Sequence, residues 1–284
     1  MSDNVLVSLW CKCFGWFHLD YGWKAIGMLD SGVGGLTIQR EILKHLPNES
    51  TVYFGDTGRA PYGSKSRESI IRFAEEGLRF LLNNYPLKLV VLACHTISAV
   101  AYEHLKGMVD VPLVEVVGPT VDLALRATRN RRIGVIGTEA LINSNVYRRK
   151  LEEKSDVKVF SQPCPLLMPL SEEGWFKEPE TYTITRKYIG PLVDEGVDTL
   201  ILGCTHYPPL IEPIRRALPE SVELIDPAVA VAEETLRILR EKNMQAEDDS
   251  PRHLYIVTDN PERFRRVGER YLGRTIYYIR LVTM

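Results

Sequence analysis

From Ala25 onward, short runs rich in Val, Ile and Leu alternate with longer segments whose apolar residues recur at helical spacing. Apolar runs of that kind suit strands buried on both faces, and the longer segments suit helices that cover them, so the pattern predicts a parallel α/β sheet. The expected strands are AIGML (25–29), TVYF (51–54), KLVVLA (88–93), PLVEV (112–116), RIGVIG (132–137), VKVF (157–160), TLILG (199–203) and ELI (223–225). HLYIVTDNPERFRRVGERYLG adds a last strand and helix that return to one half of the molecule. In SRESIIRFAEEGLRFLLNNY, Ile70, Ala74, Leu78 and Leu81 mark one helical face, and Ser66 is a candidate N-cap.

The strand pattern repeats at long range. AIGMLDSGVGG and RIGVIGTEALI each run from a strand into a small-residue turn, with Gly27 and Gly134 107 positions apart. Cys94 and Cys204, each ending an apolar run, are 110 apart. Two similar α/β halves, each offering the C-terminal ends of its strands to a shared cleft, explain both offsets. A chain of 284 residues with 45% hydrophobic content is long enough for two such halves.

In open parallel sheets ligands bind outside the carboxyl ends of the strands, and four polar clusters fall there. Asp30-Ser31-Gly32-Val33-Gly34-Gly35 follows the first run, and GDTGRAPYGSK, with Asp56, Arg59, Tyr62 and Gly63, follows the second. Cys94-His95-Thr96 and Cys204-Thr205-His206 follow the third and seventh. The glycine cluster lacks the G-x-G-x-x-G spacing and a following Gly-Lys-Ser/Thr, so it is no dinucleotide or P-loop signature. Its backbone N–H groups at a helix start still suit a carboxylate, which points to an anionic substrate.

Three readings of the cysteines compete. Cys164, in QPCPLL, reads as a small buried hydrophobe. Cys94, His95, Cys204 and His206 offer zinc-ligand types but lack a Cys-x-x-Cys or His-x-x-x-His anchor. As a catalytic pair, Cys94 and Cys204 would approach a substrate from opposite faces, the arrangement that inversion of a stereocentre needs. Asp30 and His206 are placed to exchange protons with the thiols, while Ser31, Thr96, Thr205 and the Tyr62-Gly63 backbone are suitable donors.

The remaining composition narrows the partners. Lys+Arg 35 against Asp+Glu 37, a net charge of −2, gives no electrostatic case for nucleic acid and favours a small-molecule partner. No stretch reaches the roughly 18 apolar residues of a membrane span. Five scattered cysteines fit a reducing cytoplasm better than a disulfide framework. Residues 1–24 hold three of the four tryptophans and Cys11-Lys12-Cys13 without periodicity, and are expected to be an extension outside the fold.

In order along the chain, DSGVGGLT, YFGDTGRAPYG, ACHTISA, IGVIGTEA, CPLLMPLSEEGW and LILGCTHYP resemble the glutamate racemases of the cofactor-independent aspartate/glutamate racemase superfamily. The resemblance covers 25–284. It implies two pseudo-symmetric parallel-sheet α/β domains with the active site in the cleft between them: 25–120 plus about 228–284 as the first, and 121–227 as the second. It implies interconversion of L- and D-glutamate without cofactor or metal, supplying D-glutamate for peptidoglycan. Cys94 would deprotonate D-glutamate and Cys204 L-glutamate. Asp30, Ser31, Tyr62, Gly63, His95, Thr96, Thr205 and His206 would touch the substrate, with Asp30, His206 and either Glu172 or Glu173 assisting the thiols. One departure stands out: His95 occupies the Asn position of the family's Cys-Asn-Thr motif, and if charged it would strengthen carboxylate binding or lower the Cys94 pKa. An aspartate or other amino-acid racemase, a zinc-binding protein and a catalytically silent binding module remain alternatives, and a homodimer is left open.

Overall fold

The computed structural model describes residues 23–246 and 250–284. Cys11, Cys13 and all but the last two residues of the expected extension lie outside them. The strands are β1 (Ala25–Asp30), β2 (Thr51–Gly55), β3 (Leu87–Leu92), β4 (Leu113–Glu115), β5 (Arg132–Gly137), β6 (Lys158–Pro163), β7 (Thr199–Gly203), β8 (Glu223–Ile225), β9 (His253–Val257) and β10 (Ile279–Leu281). They form two wholly parallel sheets, of order β10-β9-β2-β1-β3-β4 and β6-β5-β7-β8. The order β2-β1-β3-β4 recurs as β6-β5-β7-β8, so the faint sequence repeat corresponds to equivalent strands. Cys94 follows β3 and Cys204 follows β7, which are counterparts in that scheme.

Burial explains which runs became central strands. β1, β2, β3 and β7 are buried along their whole length, which suits the largely apolar sequences they carry, and the one buried cation among them, Lys88 in β3, is paired with Glu49 at 2.6 Å. β10 was not anticipated: its three residues are half-buried or exposed at the sheet edge, where no apolar run is demanded. β6 runs past the expected 157–160 because Ser161, Gln162 and Pro163 keep register with Val135, Ile136 and Gly137 of β5.

The helix Arg67–Asn84 buries Ile70, Ala74, Leu78 and Leu81, and Ser66 caps it by accepting from Ser69 N. A continuous apolar cluster joins the two sheets, from Ile26 and Met28 on β1 through Val121 and Val231 to Ile133, Val135 and Ile201. The carboxyl ends of β1 and β3 thereby face those of β5 and β7. No helix among the described residues is long and apolar enough to cross a membrane.

Candidate active site

The facing strand ends enclose one cavity. Ser31, Tyr62, Gly63, Cys94, His95 and Thr96 line it from the first sheet, and Thr138, Cys204, Thr205 and His206 from the second, with Met168 completing the wall. Close approach of the halves depends on glycine. A Cβ on Gly34 would stand 2.6 Å from the His206 ring, and one on Gly63 would stand 2.7 Å from Thr138 Cβ. Thr37 Oγ1 donates to Thr205 O at 3.1 Å, and the hydroxyls of Thr96 and Thr138 lie 2.9 Å apart, so hydrogen bonds also tie the two sides.

At Cys94 the chain leaves β3 and enters the helix His95–Leu105, which Cys94 caps without a side-chain bond. Its Sγ lies 3.4 Å from Ser31 Oγ. Burial, reinforced by the nearby Asp30 charge, pushes the thiol up to about 12. Asp30 is buried as well and its pKa is raised by desolvation, against which the His206 charge acts. Gly32 N and Tyr53 OH both donate to Asp30 Oδ2 at 3.0 Å, while Oδ1 is buried without a partner. The expected carboxylate nest of the glycine turn is thus turned partly on the chain's own Asp30. Asp30 is 1% exposed and is not among the residues that line the cavity.

Cys204 has a different surrounding. His206 Nδ1 lies 3.7 Å from Cys204 Sγ, and Nε2 lies 3.1 Å from Glu172 Oε1. Burial acts to lower the His206 pKa, but the bonds to Cys204 and Glu172 overcome it and push it up to about 10. Burial likewise opposes ionisation of Glu172, yet His206 and Arg263 hold its carboxyl down at about 2. The two glutamates that were indistinguishable in sequence part here. Glu172 reaches His206, whereas Glu173 is 55% exposed and bonds Arg263 at 3.0 Å, outside the cavity.

His95 departs from both roles proposed for a charged residue. Its ring nitrogens are buried with no hydrogen-bond partner, its ring lies 6.3 Å from that of Tyr147, and burial lowers its pKa to about 3. It is neutral, so it brings no cation to a carboxylate or to Cys94. Asp56 and Arg59 do not line the cavity: Asp56 accepts from Arg59 Nε at 2.6 Å, from Thr258 Oγ1 at 2.7 Å and from Tyr62 OH, and Arg59 also bonds Glu76. Among the described residues, no group of three or more His, Cys, Asp and Glu side chains gathers to hold a metal. Cys164 is fully buried, with its Sγ 3.5 Å from Gln162 O.

Thr138 and Arg263 were missed. Thr138 follows β5 directly and caps the helix Glu139–Asn143, so the strand-end rule that found the other clusters also reaches it. Arg263 carries no local signal, because its partner Glu172 is 91 residues away.

A model of the Asp/Glu/Hydantoin racemase family matches residues 36–235. The glutamate racemase of Geobacter metallireducens is 45% identical over 257 residues, covering 88% of this chain and 93% of its own length. The structure of a glutamate racemase isoform from Bacillus anthracis superposes with a TM-score of 0.88 at 38% identity, covering 92% of this chain and 98% of that one. A glutamate racemase from Francisella tularensis, solved in complex with D-glutamate, gives 0.87 at 36% identity, covering 92% and 97%. With that coverage on both sides, the chain belongs to the Asp/Glu/hydantoin racemase family.

Proposed function

We propose that this protein racemises glutamate with two thiol acid/base groups and no cofactor, supplying D-glutamate for peptidoglycan. The observation that carries the reading is the pair Cys94 and Cys204, which line one cavity from equivalent strands of two facing sheets. In the L-to-D direction the Cys204 thiolate takes the Cα proton and becomes a thiol. The Cys94 thiol then gives its proton to the opposite face, leaving a thiolate and D-glutamate. The reverse reaction exchanges the two roles.

The surroundings fit those roles unequally. Charged His206 stabilises negative charge on the Cys204 sulfur, and Glu172 fixes the ring that does so. Cys94, held protonated by burial, is a proton donor at neutral pH, and buried Asp30 supplies the negative charge on its side. Thr96, Thr138 and Thr205 give the cavity neutral hydroxyls for the substrate carboxylates. The named activity of the relatives and the D-glutamate bound to one of them favour glutamate over aspartate. The domain division proposed is 25–120 with about 228–284, and 121–227.

The test is racemisation of each glutamate enantiomer followed by circular dichroism, with aspartate run in parallel. Cys94→Ala and Cys204→Ala are each expected to lower it by at least about 100-fold, the usual scale for removing an acid/base group. Full activity in either variant, or preference for aspartate, contradicts the reading.

A further inference from the structure

The helix Pro261–Leu272 belongs to the first sheet's side, between β9 and β10, yet it grips the helix Leu167–Glu173 of the second. Arg263 Nη2 donates to Glu172 Oε2 at 2.9 Å and to Glu173 Oε1 at 3.0 Å. Arg270 Nη2 donates to the backbone carbonyl of Glu172, and the hydroxyls of Ser171 and Tyr271 lie 2.6 Å apart. The far oxygen of Glu172 bonds His206, whose ring also stands edge-on to Tyr271 at 5.7 Å. A chain of contacts therefore runs from one half of the molecule through Glu172 and His206 to the Cys204 sulfur. The hydrogen bonds found at Cys94 include no contact with this chain.

We propose that Arg263 is a positioning residue for the Cys204 half of the reaction, fixing Glu172 across the cleft so that His206 is held against the thiol. The inference rests on the two-thiol reading above. It assigns Arg263 no contact with substrate: it lies in a separate recess with Asp259, Asn260 and Phe264, on the far side of Glu172 from the thiols. Arg263 reaches both glutamates through the single nitrogen Nη2, and its planar guanidinium sets the direction of that donor more firmly than a freely rotating ammonium would. The charged and titratable groups around Glu172 are His206, Arg263, Arg270, Tyr271 and the neighbouring Glu173, with Asp259 lining the same recess.

Enantiomers have equal free energy, so the equilibrium constant is one and any variant must keep kcat/KM equal in the two directions. An effect confined to one thiol must therefore be read in the isotope effect. When abstraction by Cys204 becomes slower, the primary effect with Cα-deuterated L-glutamate rises while that with D-glutamate falls. Arg263→Met should lower kcat/KM by about 10- to 100-fold in both directions, the scale of a displaced catalytic group. It should show that isotope asymmetry and raise the acidic limb of the pH profile, since Glu172 loses one of its cations. Arg263→Lys should recover part of the rate and of the pH profile. Arg266→Met, which removes the same charge from an exposed position of the same helix, should behave as the wild type.

Equal isotope effects for both enantiomers, or a pH profile unmoved in Arg263→Met and Arg263→Lys, would overturn the inference. An asymmetry of opposite sign would overturn it as well, since it would place the slowed step at Cys94. If Arg263→Met does not fold, Arg263→Lys carries the same isotope comparison. A wild-type protein inactive on glutamate would overturn the two-thiol reading itself, and the inference with it.

Discussion

Two histidines flank the thiols, and their surroundings drive them in opposite directions. His206 has a carboxylate on one nitrogen and a sulfur on the other and is held charged to about pH 10, whereas His95 has no partner and is held neutral down to about pH 3. Each has a consequence for stability. A raised pKa contributes stability that is complete below about 6.5 and fades as pH rises through 10. The paired Glu172 contributes above 4.5 and loses its contribution as pH falls through about 2. The stability difference between wild type and Glu172→Gln should therefore shrink as pH rises from about 6.5 toward 10 and level off above 10, as followed by thermal midpoints. Neutral His95 acts the other way: from pH 6.5 down to about 3 the unfolded chain gains a proton that the folded one refuses, at a cost of up to about 1.4 kcal/mol per pH unit. The wild type should thus lose stability faster than His95→Asn over that acid range, and parallel curves for the two would contradict a buried neutral ring.

At the scale of elements, the site depends on how closely two loops meet. Gly34 leaves room for Thr205 and His206 of the opposing loop, so Gly34→Ala must push the Cys204 turn away or displace its own. Overpacking of this kind costs about 1–3 kcal/mol, to be read from the urea midpoint, and the loss of activity should exceed the loss of folded protein. Thr138→Val keeps the shape but removes the cap to Leu141 and the bond to Thr96, costing about 1 kcal/mol and weakening substrate binding, which a rise in KM would report. The sequence made such elements legible where burial forced a pattern. β5, β7 and β8 begin and end where their apolar runs do, while exposed β10 has no run to read. Cys94, Cys204 and His206 were legible because each sits at a strand end in a repeated context. The choice between Glu172 and Glu173 was not, since one helical step decides it and only the packed partner, His206, reveals which one faces inward.

Across the whole molecule, the backbone repeats but the chemistry does not. Equivalent strands deliver both thiols, yet Cys94 meets a neutral serine and a buried carboxylate, while Cys204 meets a cation secured by Glu172 and Arg263. The apolar cluster common to both sheets implies that they unfold together, so far-ultraviolet circular dichroism and aromatic fluorescence should give coincident urea transitions. Two separated transitions would indicate halves that are stable independently. The most direct test of the two-thiol account is racemisation in D2O, sampled at low conversion from each pure enantiomer. The account predicts that the product enantiomer carries deuterium at Cα while the remaining substrate does not, because the proton is taken by one sulfur and returned by the other. Product formed without deuterium, or label entering substrate and product alike, would contradict it.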